Sequence, residues 1–162
     1  MKKINYIIGD ATEPVGAGNK IIAHVCNNKG GWGKGFVLAI SKKWGYPEEH
    51  YRSLNKYYSV LGTIGVVRVD EGIYVANMVC QDGYKSSNNP IPLRYNYLNA
   101  CLNSLRETAE EVNASVHMPR IGCGLAGGNW TLIEPIIQKT LVEKGIEVFV
   151  YDLTEEDTSK YE

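Results

Sequence analysis

Two glycine clusters constrain this chain more than any other feature of its sequence. Gly30, Gly31, Gly33 and Gly35 fall within IIAHVCNNKGGWGKGFVLAI, residues 21–40. Gly122, Gly124, Gly127 and Gly128 fall within IGCGLAGGNW, residues 121–130. These two windows hold eight of the 17 glycines. Each follows an apolar run of strand type and precedes a segment of helical spacing. Glycine lets a backbone approach an oxyanion closely, and the N–H groups at a helix start point towards it. A strand, a glycine loop and a helix, occurring twice, therefore predict two turns that grip one phosphate-bearing ligand between them.

The rest of the chain supplies the frame. Ile4–Ile8 reads as a first strand, and Lys20–Cys26 as an apolar, central one. A helix over about Gly35–Trp44 is stopped by Gly45 and Pro47, and a second runs from roughly Glu48 to Tyr58. Thr63–Val69 and Ile73–Val79 are β-rich runs joined by Asp70-Glu71-Gly72, the mark of a hairpin. A polar loop, QDGYKSSNNPIP, covers 81–92, and loops of that length in a compact domain are often functional. Leu98, Cys101, Leu102, Leu105, Ala109 and Val112 repeat with a helical period. A strand over Ser115–Ile121 leads into the second glycine window. A fourth helix is expected near Leu132, with Thr131 and Glu134 as a capping box and Pro135 in its first turn. Ile146–Leu153 reads as the last strand.

Strands alternating with helices predict an α/β fold, a three-layer α/β/α sandwich whose central sheet is mixed because of the hairpin. Ligand crevices in such sheets lie beyond the carboxyl ends of the strands. Asp10, both glycine loops and the 81–92 loop all follow strands, so they converge on one edge. Residues 1–153 are expected to form a single domain, with 154–162 as a frayed acidic tail.

Charge and cysteine usage narrow the function. The net charge is −1 with a pI near 6.3, so nucleic-acid binding is not expected. An anionic ligand has to be held by backbone N–H groups rather than by a basic field. Cys26, Cys80, Cys101 and Cys123 are scattered without a CxxC pair, which predicts neither a zinc site nor a disulfide framework. The N-terminal apolar run is too short for a secretory signal and nothing approaches a membrane span, so a cytoplasmic protein with reduced thiols is expected.

Three stretches, IIAHVCNNKGGWGKG, HMPRIGCGLAGGNW and VFVYDL, occur in an order that resembles the macrodomain family of ADP-ribose-binding modules. The likeness runs from Gly9-Asp10 to Tyr151-Asp152. It is strongest to the branch that contains ADP-ribose-1''-phosphate phosphatases and terminal ADP-ribose glycohydrolases. The resemblance implies that Asp10, beside Ala11, accepts a hydrogen bond from the adenine amine. It implies that Gly31, Trp32, Gly33, Lys34 and Gly35 on one side clamp the diphosphate against Gly122, Cys123, Gly124, Leu125, Ala126 and Gly127 on the other. Tyr151 or Phe149 would lie against the adenine, Asn27 would orient the distal ribose, and Asn28 would support the loop. His24 would act as general base on a water, with Asp82 polarising that water or fixing the histidine tautomer. The glycohydrolases use a lysine after the fourth strand and an aspartate in the second glycine loop. Gln81 and Ala126 stand at those places here, so a Schiff-base mechanism is not expected.

The implied partner is ADP-ribose or a derivative, including an ADP-ribosylated macromolecule, with no separate cofactor or metal. The leading expectation is hydrolysis of a group on the distal ribose, the 1''-phosphate first. The alternatives are a non-catalytic reader of ADP-ribose, and a de-ADP-ribosylating or deacetylating hydrolase that uses water as nucleophile.

Overall fold

The computed structural model describes residues 2–58 and 60–162; Met1, the first residue of the expected 1–153 domain, and Ser59 lie outside the described residues. Six strands form one sheet: β1 (Asn5–Ile8), β2 (Asn19–Asn27), β3 (Thr63–Asp70), β4 (Ile73–Gln81), β5 (Ala114–Met118) and β6 (Val148–Asp152). Their order across the sheet is β1-β6-β5-β2-β4-β3. Every neighbouring pair is parallel except the β3–β4 hairpin. Five strands therefore end on the same edge, and the sheet is mixed as expected.

Strand side chains alternate between faces, and that alternation assigns the two cores. Ile21 and Ala23 of β2 join Met78, Val116, Met118, Val148 and Val150 beneath α3 (Tyr95–Val112) and α4 (Trp130–Thr140). Leu98, Leu102, Leu105, Ile133 and Ile137 are the helical side of that layer. Ile22 and Cys26, on the other face of β2, pack with Val75 against Val37 and Ile40 of α1 (Phe36–Lys43) and Tyr51 of α2 (Tyr46–Tyr58). Helices on both faces of the sheet make three layers.

Three boundaries differ from expectation. β5 stops at Met118 because Pro119 cannot continue the ladder. α4 begins at Trp130, capped by Asn129, whose side chain accepts from Thr131 N–H at 3.0 Å; the Thr131/Glu134 box is not used. Pro135 therefore sits beyond the first turn. The acidic end does not fray: Thr154 accepts from Asp157 N–H at 3.1 Å and caps α5 (Glu155–Ser159). Glu155, Glu156 and Asp157 in its first turn suit the helix dipole.

Candidate functional site

The first glycine loop is built on Asn27, the last residue of β2. At that point β4 carries one extra residue, since Cys26 pairs with Val79 and Asn27 with Gln81. Such a bulge re-aims the side chain at a strand end. The Asn27 amide turns onto its own loop: Oδ1 accepts from the N–H of Lys29 at 2.8 Å and of Gly31 at 3.1 Å, and Nδ2 donates to the Gly31 carbonyl at 3.0 Å. Tyr51, from α2, brings its hydroxyl within 2.7 Å of the Asn27 carbonyl and 2.9 Å of Oδ1, and accepts from Gly30 N–H at 3.1 Å. The amide oxygen is thus spent on shaping the loop, while Nδ2 gives one N–H to Gly31 and its second has no acceptor among the described residues.

Trp32 lies underneath. It is buried, its Nε1 donates to Ser41 Oγ at 2.6 Å, and its ring packs 5.3 Å from Tyr51 and 5.4 Å from His24. Gly33, Lys34 and Gly35 are exposed above it. Gly35 is the N-cap of α1, at φ +84° and with no side-chain cap. The N–H groups of Gly33, Lys34, Gly35 and Phe36 have no acceptor among the described residues.

The second loop has the complementary form. Ile121, Cys123, Gly127 and Gly128 turn their N–H groups inwards, onto the carbonyls of Pro119, Arg120, Gly124 and Gly122. The N–H groups of Gly124, Leu125 and Ala126 have no acceptor among the described residues. Leu125 Cδ1 comes within 3.4 Å of where a Cβ on Gly35 would stand, so the two loops face each other closely.

The loop after β4 joins them. Asn28 Nδ2 donates to Asp82 Oδ1 at 3.1 Å, and Gly83 N–H donates to Asn28 Oδ1 at 2.9 Å, which stitches this loop to the first. Leu93 N–H donates to the Ala126 carbonyl at 3.1 Å, and Gly127 lies against the Pro90 carbonyl, which stitch it to the second. Asp82 remains about two-fifths exposed, 3.9 Å from Arg94 Nε. Gln81 is buried and donates to the Gly83 carbonyl at 3.0 Å.

Asp10 stands at the end of β1, half-buried. One carboxylate oxygen accepts from Thr12 N–H and from Thr12 Oγ1, both at 2.8 Å; the other has no donor among the described residues. Ala11 is buried, and Lys43 of α1 holds the Thr12 carbonyl at 2.9 Å.

Two expectations are corrected by burial. His24 shares the face of Ile22 and Cys26 and is 2% exposed beneath Trp32 and Phe36. Its Nε2 lies 2.5 Å from Asn77 Oδ1, and Asn77 Nδ2 donates to the Pro47 carbonyl. Burial pushes its pKa down to about 4, against the smaller opposing pull of Asn77. It is a neutral core imidazole, 2% exposed, and does not reach the open crevice to deprotonate a water. Tyr151 is likewise enclosed: its hydroxyl lies 2.7 Å from His117 Nδ1 and accepts from Val15 N–H at 3.0 Å. His117 Nε2 in turn meets Ser115 Oγ at 2.7 Å, and Phe149 stacks on the His117 ring at 4.7 Å. Tyr151 is 4% exposed and offers the open crevice no face; Phe149 is half-buried, with one ring face on His117.

Two further residues of this edge carry no local signal in the sequence. Tyr51 is drawn in from a helix, and Tyr84 lies across Gly31, its hydroxyl 2.5 Å from where a Cβ would stand. Beside the second loop, Arg120 makes a two-pronged ion pair with buried Asp152, at 3.1 and 2.8 Å. The rings of Tyr6, Trp130 and Tyr161 surround its guanidinium at 4.3–5.0 Å. Burial raises the neighbouring Cys123 thiol to about 11, against the opposing pull of Arg120. Among the described residues no three His, Cys, Asp or Glu side chains are placed to hold a metal ion, and no helix is long and apolar enough to cross a membrane.

No protein-family model matches the chain. The ADP-ribose 1''-phosphate phosphatase of Lodderomyces elongisporus is 27% identical, over 92% of this chain and 99% of that protein. The chromodomain-helicase-DNA-binding protein 1-like of Danio rerio is 30% identical over 91% of this chain, which spans only 15% of that relative's length. The structure of a macrodomain protein from Streptomyces coelicolor superposes with a TM-score of 0.83 at 46% identity, covering 93% of this chain and 99% of that one. With the sheet order, the two facing glycine loops and a likeness that spans both chains, this protein belongs to the macrodomain family.

Proposed function

We propose that this chain binds ADP-ribose or a derivative across its glycine loops and hydrolyses a group on the distal ribose, the 1''-phosphate first among them. One observation carries the reading: N–H groups without acceptors among the described residues, at 33–36 and at 124–126, lie on two loops that approach each other at Gly35 and Leu125. Oriented amides of this kind bind a diphosphate without net positive charge, which suits a chain of charge −1. The open oxygen of Asp10 matches the donor of an adenine amine. The Lodderomyces relative, alike over nearly its whole length, supports the choice of phosphate ester.

Within this reading Asp82 replaces His24 as the base. It is the carboxylate of the loop that joins both glycine turns, and it is held by Asn28 rather than by the core. Holding the ester beside a positioned water supplies much of the rate by itself, and the carboxylate takes the proton.

The test is phosphate release from ADP-ribose-1''-phosphate, beside calorimetry with ADP-ribose. Binding with turnover is expected, and Asp82→Asn should lower turnover by about 10²-fold or more while leaving binding nearly intact. Absence of ADP-ribose binding at millimolar concentration refutes the site; undiminished turnover in the variant refutes the role of Asp82. A reader without chemistry is the second reading. It is favoured by Gln81, whose amide is committed to Gly83, and by the methyl of Ala126. Binding without turnover would establish it.

A further inference from the structure

Among the described residues, Tyr84 is the aromatic side chain laid across Gly31 of the first glycine loop. Its hydroxyl would stand 2.5 Å, and its Cε1 2.9 Å, from a Cβ built on Gly31. The ring is therefore in direct contact with that backbone, in a place only glycine leaves open. Yet Tyr84 is 55% exposed, and its hydroxyl makes no hydrogen bond among the described residues. The backbone beneath it is tightly fixed: Asn89 Nδ2 donates to the carbonyls of Asp82 at 2.7 Å and Tyr84 at 3.1 Å, and Ser86 and Asn89 exchange backbone bonds. Gly83 is tied to Asn28. A fixed backbone thus presents a phenol with a free polar end beside the loop, two residues from Asp82.

We propose that Tyr84 is a specificity-determining residue: it recognises the sugar beyond the diphosphate, hydrogen-bonding that ribose or the group it carries, and so separates ADP-ribose derivatives from nucleotides that end at the diphosphate. This rests on the crevice binding ADP-ribose. The chemistry follows from the placement. The N–H groups of Gly33–Phe36 and Gly124–Ala126 that lack acceptors among the described residues are donors, which suit phosphate oxygens. A sugar needs a partner that both donates and accepts, together with an apolar face to cover its ring. A phenol is both.

The experiment compares the wild type, Tyr84→Phe and Tyr84→Ala by calorimetry, each with ADP-ribose and with ADP. Loss of one hydrogen bond should weaken ADP-ribose by about 3–10-fold in Tyr84→Phe, and more in Tyr84→Ala, with ADP affinity unchanged in both. Gly31→Ala displaces the ring without removing its hydroxyl, and should reproduce the loss for ADP-ribose. Equal ADP-ribose affinity in wild type and Tyr84→Phe overturns the inference while leaving the crevice intact. An equal loss of ADP and ADP-ribose also overturns it, because the phenol would then act on the diphosphate. A wild type that binds neither ligand overturns the ADP-ribose reading itself.

Discussion

Replacing Gly127 by alanine should strain the second glycine loop twice over, through its backbone conformation and through its neighbours. The residue sits at φ +71°, and a Cβ there would lie 2.7 Å from the Pro90 carbonyl oxygen and 3.4 Å from Ile91 Cα. Two costs add. Holding an alanine in the left-handed region costs about 1–2 kcal/mol. Relieving an overlap with backbone rather than with a flexible side chain costs about 1–3 kcal/mol, as overpacking does. The backbone cannot simply step aside, because Leu93 N–H is bonded to the Ala126 carbonyl and Asp82 N–H to the Pro92 carbonyl. The sum, roughly 2–5 kcal/mol, corresponds to a fall in Tm of about 4–20 °C for a chain of this size. Gly124 provides the control: nothing lies within 4 Å of its Cβ position and its φ is not positive. Gly124→Ala should therefore stay within about 0.5 kcal/mol of wild type. Urea unfolding of both variants, with m-values compared, reads the difference. Equal stabilities would refute the close approach of the second glycine loop to Pro90, and with it the joining of the two loops.

Removing the Tyr51 hydroxyl leaves Gly30 N–H without its acceptor. Tyr51→Phe should cost about 1–3 kcal/mol and speed amide exchange at Gly30 and Gly31; a Tm within 1 °C of wild type would sink the claim. Stability should also fall with acid. Burial lowers His24 and His117 to about 4, aided at His117 by repulsion from Lys20, against an ordinary value of 6.5. Between those values the unfolded chain takes up protons that the native chain refuses. The stabilisation is therefore complete above about pH 6.5 and is lost as the pH drops towards 4. At pH 5 the loss is roughly 2 kcal/mol for each histidine. Unfolding free energies measured at pH 7 and pH 5 should show it, and equal values would contradict neutral, sealed imidazoles.

Much of this architecture can be read without coordinates, because the signals are local. The hairpin at Asp70-Glu71-Gly72, the α3 stripe from Leu98 to Ala109 and the two glycine loops all lie in short windows. The failures involve partners far away in sequence. Tyr151 looks like a ligand platform until β5 brings His117 beneath it. Asn27 looks wholly free until a bulge in β4 and a hydroxyl from α2 claim its amide oxygen. His24 was more legible than it looked: Ile22 and Cys26, two residues to either side, already place it on a buried face. Asn129 outcompeted Thr131 as a cap because the chain leaves the glycine loop two residues earlier than the apolar spacing suggests. For Tyr84 nothing local would have sufficed, since its meaning comes entirely from crossing Gly31.

The stitching of the β4 loop to both glycine turns, through Asn28 on one side and Ala126 and Gly127 on the other, bears on how tightly any ligand can be held. A gripping surface made of separate floppy segments surrenders conformational entropy each time it closes. Here that ordering is completed during folding, so binding begins from a pre-organised cage and keeps more of its contact energy as affinity. The same economy has a cost: a defect in one turn is transmitted to the other two, and evolution can retune this rim only by altering its parts in concert.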